Sequence, residues 1–407
     1  MMNGVSLVIC CYNSADKLPP TIQHIIDMRV SDGIPWELII VDNASTDGTS
    51  EIAAKLVSSH LKDVTRIVVE NQLGLRNARL KGFEESRYEY ICFIDDDNWV
   101  CPEWVNIVYE IMSGHPEVGA CGGKGFPSFE SPPPPWFEQF QQCYAVGPQG
   151  ESSGYVDSRG FLWGAGLTIR STAWQEIVEN GFSFSLSGRH GTNLSSGEDS
   201  EICLALLCYR WRLWYDDRLL YYHYLPSFRL TSDYLKKLTR GFGASEVVLS
   251  SYREFINSDV SIAPNFTNIW MKDSKAIIWH YKRKYIRLGH KLVSNDTSSE
   301  LIASYVQFEK FWTIIKLRNR YDDMKIQIYN FYKNSPLYKK KSEEIGLLKN
   351  HQIPGDQPID FLSIHERDAL IQQLQKRIHA LESSLSWRLT FPLRKLLDIV
   401  KSVSRKP

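Results

Sequence analysis

Over the first hundred residues, short apolar runs alternate with segments whose apolar residues recur at helical spacing. Val5-Ser6-Leu7-Val8-Ile9-Cys10-Cys11, Trp36 to Val41, Arg66 to Val69 and Tyr90 to Ile94 read as strands. Ile91 to Ile94 are consecutively apolar, the pattern of a strand buried on both faces. Between the strands lie three helical segments. The first carries Ile22, Ile25 and Ile26, with Pro19 in its first turn; the second carries Ile52, Leu56 and Val57; the third opens at Gly74-Leu75 and runs to Phe83. Strand and helix alternating through short loops predict a parallel, doubly wound sheet. A further helix begins after Pro102, turns Trp104, Val105, Val108, Ile111 and Met112 inward, and stops near Gly114.

The pattern then loosens. Pro132 to Pro135 preset an extended path. Phe161 to Arg170 reads as a strand whose small residues, Gly164-Ala165-Gly166, admit close approach of a backbone or substrate. A Ser- and Gly-rich loop over 183–197 carries Arg189 and His190 ahead of an apolar helix, Ile202 to Tyr209. Leu219 to Tyr224 forms another strand, with His223 near its end. From Thr231 onward the chain reads as mainly helical, with a break expected at Gly241-Phe242-Gly243. Lys282, Arg283, Lys284 and Arg287 among apolar residues suit either a helix on an anionic membrane surface or a solvated face. Ile371, Leu374, Ile378, Leu381 and Leu385 form a short heptad seam, suited to homo-oligomer formation or to docking on the body. These shifts divide the chain into an α/β domain over 1–245, a helical accessory region over 246–350, a linker over 351–365, and a short coiled coil with an amphipathic basic tail over 366–407.

Composition narrows the function. In 407 residues, 47 basic side chains balance 47 acidic ones, so no overall field argues for nucleic acid. Eight cysteines without Cys-x-x-Cys spacing suit reduced, buried thiols in a cytoplasmic protein. No apolar stretch is long enough to span a bilayer, and the N-terminus lacks the pattern of a signal peptide.

Two acidic clusters carry the candidate chemistry. Asp95-Asp96-Asp97 follows directly on the buried strand. Three carboxylates packed there repel one another and resist desolvation, a penalty that a divalent cation removes. Mg²⁺ and Mn²⁺ favour oxygen ligands and accept phosphate oxygens, so the run points to a metal–diphosphate site at the carboxyl end of the sheet. A solvated acidic turn would show the same three residues. Glu198-Asp199-Ser200-Glu201 precedes a helix, where carboxylates also serve as caps.

Val5 to Asn13, Val41-Asp42-Asn43-Ala44-Ser45-Thr46-Asp47-Gly48-Thr49, Gly74-Leu75 with Ala78-Arg79 and Gly82, and Asp95 to Asp97 come in the order and spacing of the family 2 glycosyltransferases. Residues 4 to 245 resemble these enzymes, most closely the bacterial hormogonium-polysaccharide biosynthesis type. The resemblance implies a GT-A fold: a Rossmann-like, doubly wound, mostly parallel sheet, here with a mainly helical C-terminal extension. Cys10-Cys11 stands where the family often has Pro-Thr, so the resemblance does not carry a hydroxyl contact to the nucleotide over to Cys11, while the fold it implies is unaffected.

The resemblance also assigns roles. Tyr12, Asp42, Arg79, Asp95 and Asp96 would bind the nucleotide, with Tyr12 and Asp42 at the base and Asp95 at the ribose. Asp97 and His223 would hold Mn²⁺ or Mg²⁺. Trp163, Gly164, Ala165 and Gly166 would face the acceptor; Asp199 would be the general base, and Glu198 would orient the acceptor. The implied activity is inverting transfer of a sugar from a nucleotide-diphosphate donor, a UDP-sugar foremost, to a saccharide or lipid-linked saccharide in surface polysaccharide synthesis. The implied location is the cytoplasm, with peripheral contact at the inner face of the cell membrane. Two other classes fit parts of the pattern. A sugar nucleotidyltransferase also joins carboxylates to a nucleotide, but typically has a Gly-rich basic loop after its first strand. A noncatalytic assembly module would use the C-terminal seam.

Overall fold

The apolar run at the N-terminus forms β1 (Met2–Cys11), buried from Gly4 through Ile9. Two parallel neighbours flank it: β2 (Trp36–Asp42) and, on the other side, β4 (Tyr88–Asp95). β3 (Thr65–Val69) pairs with β2. Further along come β5 (Asn98–Val100), β6 (Val118–Phe129), β7 (Gly154–Tyr155), β8 (Leu167–Arg170) and β9 (Arg212–Leu225). The sheet runs β3-β2-β1-β4-β8-β6-β9-β5, with β7 on β9. Within it, β8 is antiparallel to both β4 and β6, whereas β6 and β9 are parallel. This computed structural model describes residues 2–58, 60–186, 197–261, 264–288 and 299–350. Arg189, His190, the linker over 351–365 and the seam and tail over 366–407 lie outside the described residues.

Helices cover both faces of the sheet. α1 (Leu18–Ile26), α2 (Thr49–Val57) and α4 (Trp104–Gly114) pack on one face, against Leu7, Ile9, Leu38, Ile40 and Cys92. α3 (Leu75–Glu85), α6 (Ser171–Glu179) and α7 (Glu198–Cys208) pack on the other, against Val8, Ile39, Val41 and Ile91. Adjacent strand residues thus feed opposite cores, which is why these strands are apolar without alternation. α7 is apolar on all sides from Ile202 to Leu206 and is buried throughout that stretch. A short α5 (Phe137–Phe140) follows the prolines.

The C-terminal part is helical: α8 (Ser232–Asn257), α9 (Ile269–Leu288), α10 (Ser299–Asn334) and α11 (Pro336–Asn350). The basic residues expected on α9 carry side chains outside the described set. Two compact units divide the chain, Met1–Glu343 and Glu344–Pro407. The boundary expected at 245 falls inside α8. No helix among the described residues is long and apolar enough to cross a membrane.

Two expectations fail for packing reasons. Gly241-Phe242-Gly243 does not break α8. A Cβ at Gly243 would collide with the carbonyl oxygen of Val306 and lie 3.0 Å from Cβ of Glu309. The glycine is there to let α10 approach α8. Gly164-Ala165-Gly166 forms a turn before β8 and is not part of the strand. Gly166 has φ +70°, and a Cβ on it would meet the Trp104 ring at 2.7 Å. Gly243→Val should therefore destabilise the chain by about 1–3 kcal/mol in urea unfolding, the usual range for overpacking.

Candidate active site

A cavity of about 670 Å³ opens above the carboxyl ends of β1 and β4. Asp95, Asp96 and Asp97 line it, and so do Glu198 and Asp199. Two clusters about a hundred residues apart in sequence thus share one space. Asp95 ends β4, and the next two aspartates turn the chain into β5. β5 pairs with β9 so that Asn98 faces His223, and the N–H of Tyr224 donates to the carbonyl of Asp97 at 2.9 Å. That register sets His223 beside Asp97.

The Asp97 carboxylate is buried between two basic groups. Arg229 Nη1 lies 3.0 Å from its Oδ2, and His223 Nε2 lies 3.6 Å from its Oδ1. Burial opposes the charge on Asp97, but His223 and Arg229 outweigh it and hold the carboxyl well below the usual range. His223 Nδ1 sits 2.7 Å from the carbonyl oxygen of Tyr144. That oxygen only accepts, so Nδ1 donates to it, and Nε2 is turned toward Asp97 and Arg229. Asp96 is set differently. It accepts from the Ser14 hydroxyl, its carbonyl accepts from Thr21 Oγ1 at 2.8 Å, and burial followed by the charge of Asp97 pushes its carboxyl up to about 6. Asp96 therefore ties the acidic turn to α1.

Among the described residues no group of three or more His, Cys, Asp or Glu side chains could hold a metal. Asp97 and His223 are nevertheless one carboxylate and one imidazole nitrogen lining the same cavity. A two-donor site suits Mg²⁺ or Mn²⁺ when substrate phosphates and water complete the shell. The donor set fits such an ion.

Across the cavity, Asp199 accepts from the N–H of Gly164 at 2.7 Å and from that of Ser200 at 2.8 Å. Arg79 is buried nearby. Burial works against its charge, but Asp199, Glu198 and Asp95 prevail and hold its pKa above the ordinary value. Arg79 is thus the cation shared by both acidic clusters. Glu198 is also buried, and its Oε1 has no hydrogen-bond partner among the described residues. The Arg159 guanidinium lies 4.2 Å from the Phe161 ring centre and 5.3 Å from that of Trp163.

Most of the expected residues line this cavity: Tyr12, Arg79, Asp95 to Asp97, Trp163, Gly164, Ala165, Glu198, Asp199 and His223. Tyr12 is 48% exposed. Asp42 and Gly166 are not among the lining residues. Asp42 accepts from the N–H of Ser45 at 2.9 Å and from the Ser50 hydroxyl, so its carboxylate shapes its own loop. Its neighbour Asn43 lines the cavity instead, accepting from the N–H of Gly74 at 2.7 Å. Lys17, Tyr144, Arg229 and one face of α8, including Tyr234, Leu238, Phe242 and Glu246, also line it. Arg229 stands six positions after His223, in the turn that follows β9. Nothing in the sequence marked Tyr144 or the face of α8.

Residues 6–170 match the glycosyl transferase family 2 profile. The chain carries a family 2 glycosyltransferase domain. Across 105 residues it is 31% identical to a cholesterol galactosyltransferase of Borreliella burgdorferi, covering 26% of this chain and 28% of that protein. Across 119 residues it is 29% identical to an undecaprenyl-phosphate 4-deoxy-4-formamido-L-arabinose transferase of Pectobacterium atrosepticum, covering 29% of this chain and 36% of that protein. The chain therefore spans roughly a third or less of the length of these relatives. A solved mannosyltransferase from Pyrobaculum calidifontis, in complex with GDP-Man and Mn²⁺, aligns over 82% of this chain and 87% of its own, with 14% identity and a TM-score of 0.46. The match ends at the last residue of β8, so Glu198, Asp199, His223 and Arg229 all lie beyond the matched segment.

A Cβ at Gly164 would collide with Arg79 Nη2 and lie 3.1 Å from Asp199 Oδ2. Gly164→Ala should leave the fold intact by circular dichroism but lower turnover by about a hundredfold, the scale of a 1 Å misplacement at a reacting centre. A second expectation concerns Glu201, one turn below the cavity. Both its oxygens are engaged, by the N–H groups of Ser185 at 2.9 Å and Leu186 at 3.1 Å. Burial pushes its carboxyl from 4.5 up to about 7. The folded chain keeps a proton that the unfolded chain releases, so this contribution is full below about pH 4.5 and is lost as pH rises through 7. Glu201→Gln should flatten that part of the fall in Tm between about pH 5 and pH 8.

Proposed function

We propose that this chain transfers a sugar from a nucleotide-diphosphate donor to a hydroxyl of a saccharide or lipid-linked saccharide acceptor, with inversion at the anomeric carbon. One observation carries the reading: Asp95 to Asp97 and Glu198–Asp199 line a single cavity that also holds Arg79, His223 and Arg229. Direct displacement needs cations where the diphosphate leaves and a carboxylate where the acceptor hydroxyl enters.

Asp97 and His223 would hold Mn²⁺ or Mg²⁺, which when bound supplies positive charge to the departing diphosphate. Tyr12, at the exposed rim, flanks the base, and Asp95 binds the ribose. Asp96 supports the nucleotide side by fixing the turn to Ser14 and Thr21. Asp199 accepts the hydroxyl proton on a carboxylate oxygen, and the two N–H donors at Gly164 and Ser200 hold it in place. Glu198, with an unpaired buried oxygen, orients the acceptor hydroxyl. Arg79 supplies a buried positive charge beside Asp199 and Glu198. Trp163, Gly164 and Ala165 border the acceptor side of the same cavity.

Two of the relatives are named for lipid substrates, cholesterol and undecaprenyl-phosphate, which supports a lipid-borne acceptor. Such an acceptor would suit a setting at the inner face of the cell membrane, in surface polysaccharide synthesis.

The test is product identity with the purified full chain, supplied with nucleotide sugars, Mn²⁺ and oligosaccharide or polyprenyl-linked acceptors. Release of nucleoside diphosphate supports the reading. Formation of pyrophosphate from nucleoside triphosphate and sugar phosphate would replace it with nucleotidyl transfer. Asp199→Asn should reduce transfer by about 10²- to 10⁴-fold while donor binding, read by thermal shift, stays unchanged. Full activity in that variant would reject Asp199 as the base.

A further inference from the structure

Arg229 occupies a position that the metal–diphosphate reading leaves unexplained. Its Nη1 touches both groups that would hold the cation, at 3.0 Å from Asp97 Oδ2 and 3.2 Å from His223 Nε2. The side chain is only 15% exposed. Its Nε is buried and has no hydrogen-bond partner among the described residues. The guanidinium is therefore anchored at one end and lacks an acceptor at the other, beside a cavity sized for a ligand. The backbone beneath it is held: the N–H of Arg229 donates to Pro226 at 2.9 Å, and the Tyr144 hydroxyl donates to the carbonyl of Arg229 at 3.1 Å. Tyr144 thus positions both His223 and the turn that carries Arg229.

A divalent cation on Asp97 and His223 cannot share those two atoms with a guanidinium. Both are cationic, and the Asp97 and His223 side chains are too deeply buried for water to screen the repulsion well. A diphosphate changes the balance, because its oxygens are strong acceptors for a planar guanidinium. We propose that Arg229 is a placeholder cation. It neutralises Asp97 in the nucleotide-free protein, competes there with the divalent metal, and transfers to diphosphate oxygens when nucleotide and metal arrive together. Metal binding and nucleotide binding then favour one another, and the coupling is reciprocal.

This inference rests on the metal–diphosphate reading, and the two fail separately in one experiment. Mn²⁺ is titrated into the nucleotide-free full chain at about pH 8, where imidazole is neutral, and binding is read by electron paramagnetic resonance of the free ion. Arg229→Gln should bind Mn²⁺ about tenfold more tightly than wild type, and Arg229→Lys, which keeps the charge, should not. Asp97→Asn combined with Arg229→Gln should lose the tightened site. A second arm reads thermal shifts with UDP or GDP, with and without Mn²⁺. Wild type should gain more from the pair than from the sum of its parts, and Arg229→Gln should lose that surplus. Equal or weaker Mn²⁺ binding by nucleotide-free Arg229→Gln overturns the placeholder role. Absence of any Mn²⁺-dependent shift in wild type with either nucleotide overturns the metal–diphosphate reading itself. Retention of tight Mn²⁺ binding in the double variant places the ion elsewhere and overturns both.

Discussion

Carboxylates can be buried in a dry cleft only where cations answer them, and the architecture around this cavity follows from that constraint. Asp97 is matched by Arg229 and His223; Asp199, Glu198 and Asp95 are matched by Arg79. Removing one partner from such a pair leaves an uncompensated buried charge, which is far costlier than losing an exposed ion pair. Each basic group is itself fixed by an element remote in sequence. Arg79 comes from α3, His223 from the end of β9, and Arg229 from the turn that follows. The site thus depends on the sheet bringing four separate stretches of chain to one edge.

The sheet does this through its mixed topology. The parallel strands β1, β2 and β4 place their carboxyl ends together, as in other open α/β sheets. The antiparallel insertion of β8 then turns the chain back, so that the Gly164 turn faces Asp199. β9 is long enough to pair with both β6 and β5, and its register with β5 sets His223 against the acidic turn. Helix α8 closes the remaining side. It packs on Gly197 through Ser245 and Leu249, directly before Glu198, and so links the C-terminal helices to the acidic motif.

Much of this was legible from residue order because it rests on local rules. Apolar runs at strand length, Pro19 at a helix start and Gly74 ahead of α3 give the same answer in sequence and in space. The acidic clusters were legible for a different reason: adjacent carboxylates at the end of a buried strand have few stable uses. The less legible features involve partners that local pattern does not name. Gly243 looked like a helix breaker because only the approach of α10 explains a glycine there. Asp42 looked available for a ligand because only the folded loop shows Ser45 and Ser50 bound to its carboxylate.

The residue order alone determined the doubly wound α/β character, the two acidic centres and their likeness to family 2 glycosyltransferases, since periodicity and motif spacing are properties of neighbouring residues. Tertiary structure alone decided that the two centres share a cavity, that Asn43 rather than Asp42 lines it, and that Arg229 and Tyr144 belong to it. Those facts depend on strand register and helix approach, which are set by packing over long sequence separations, and no local pattern encodes them.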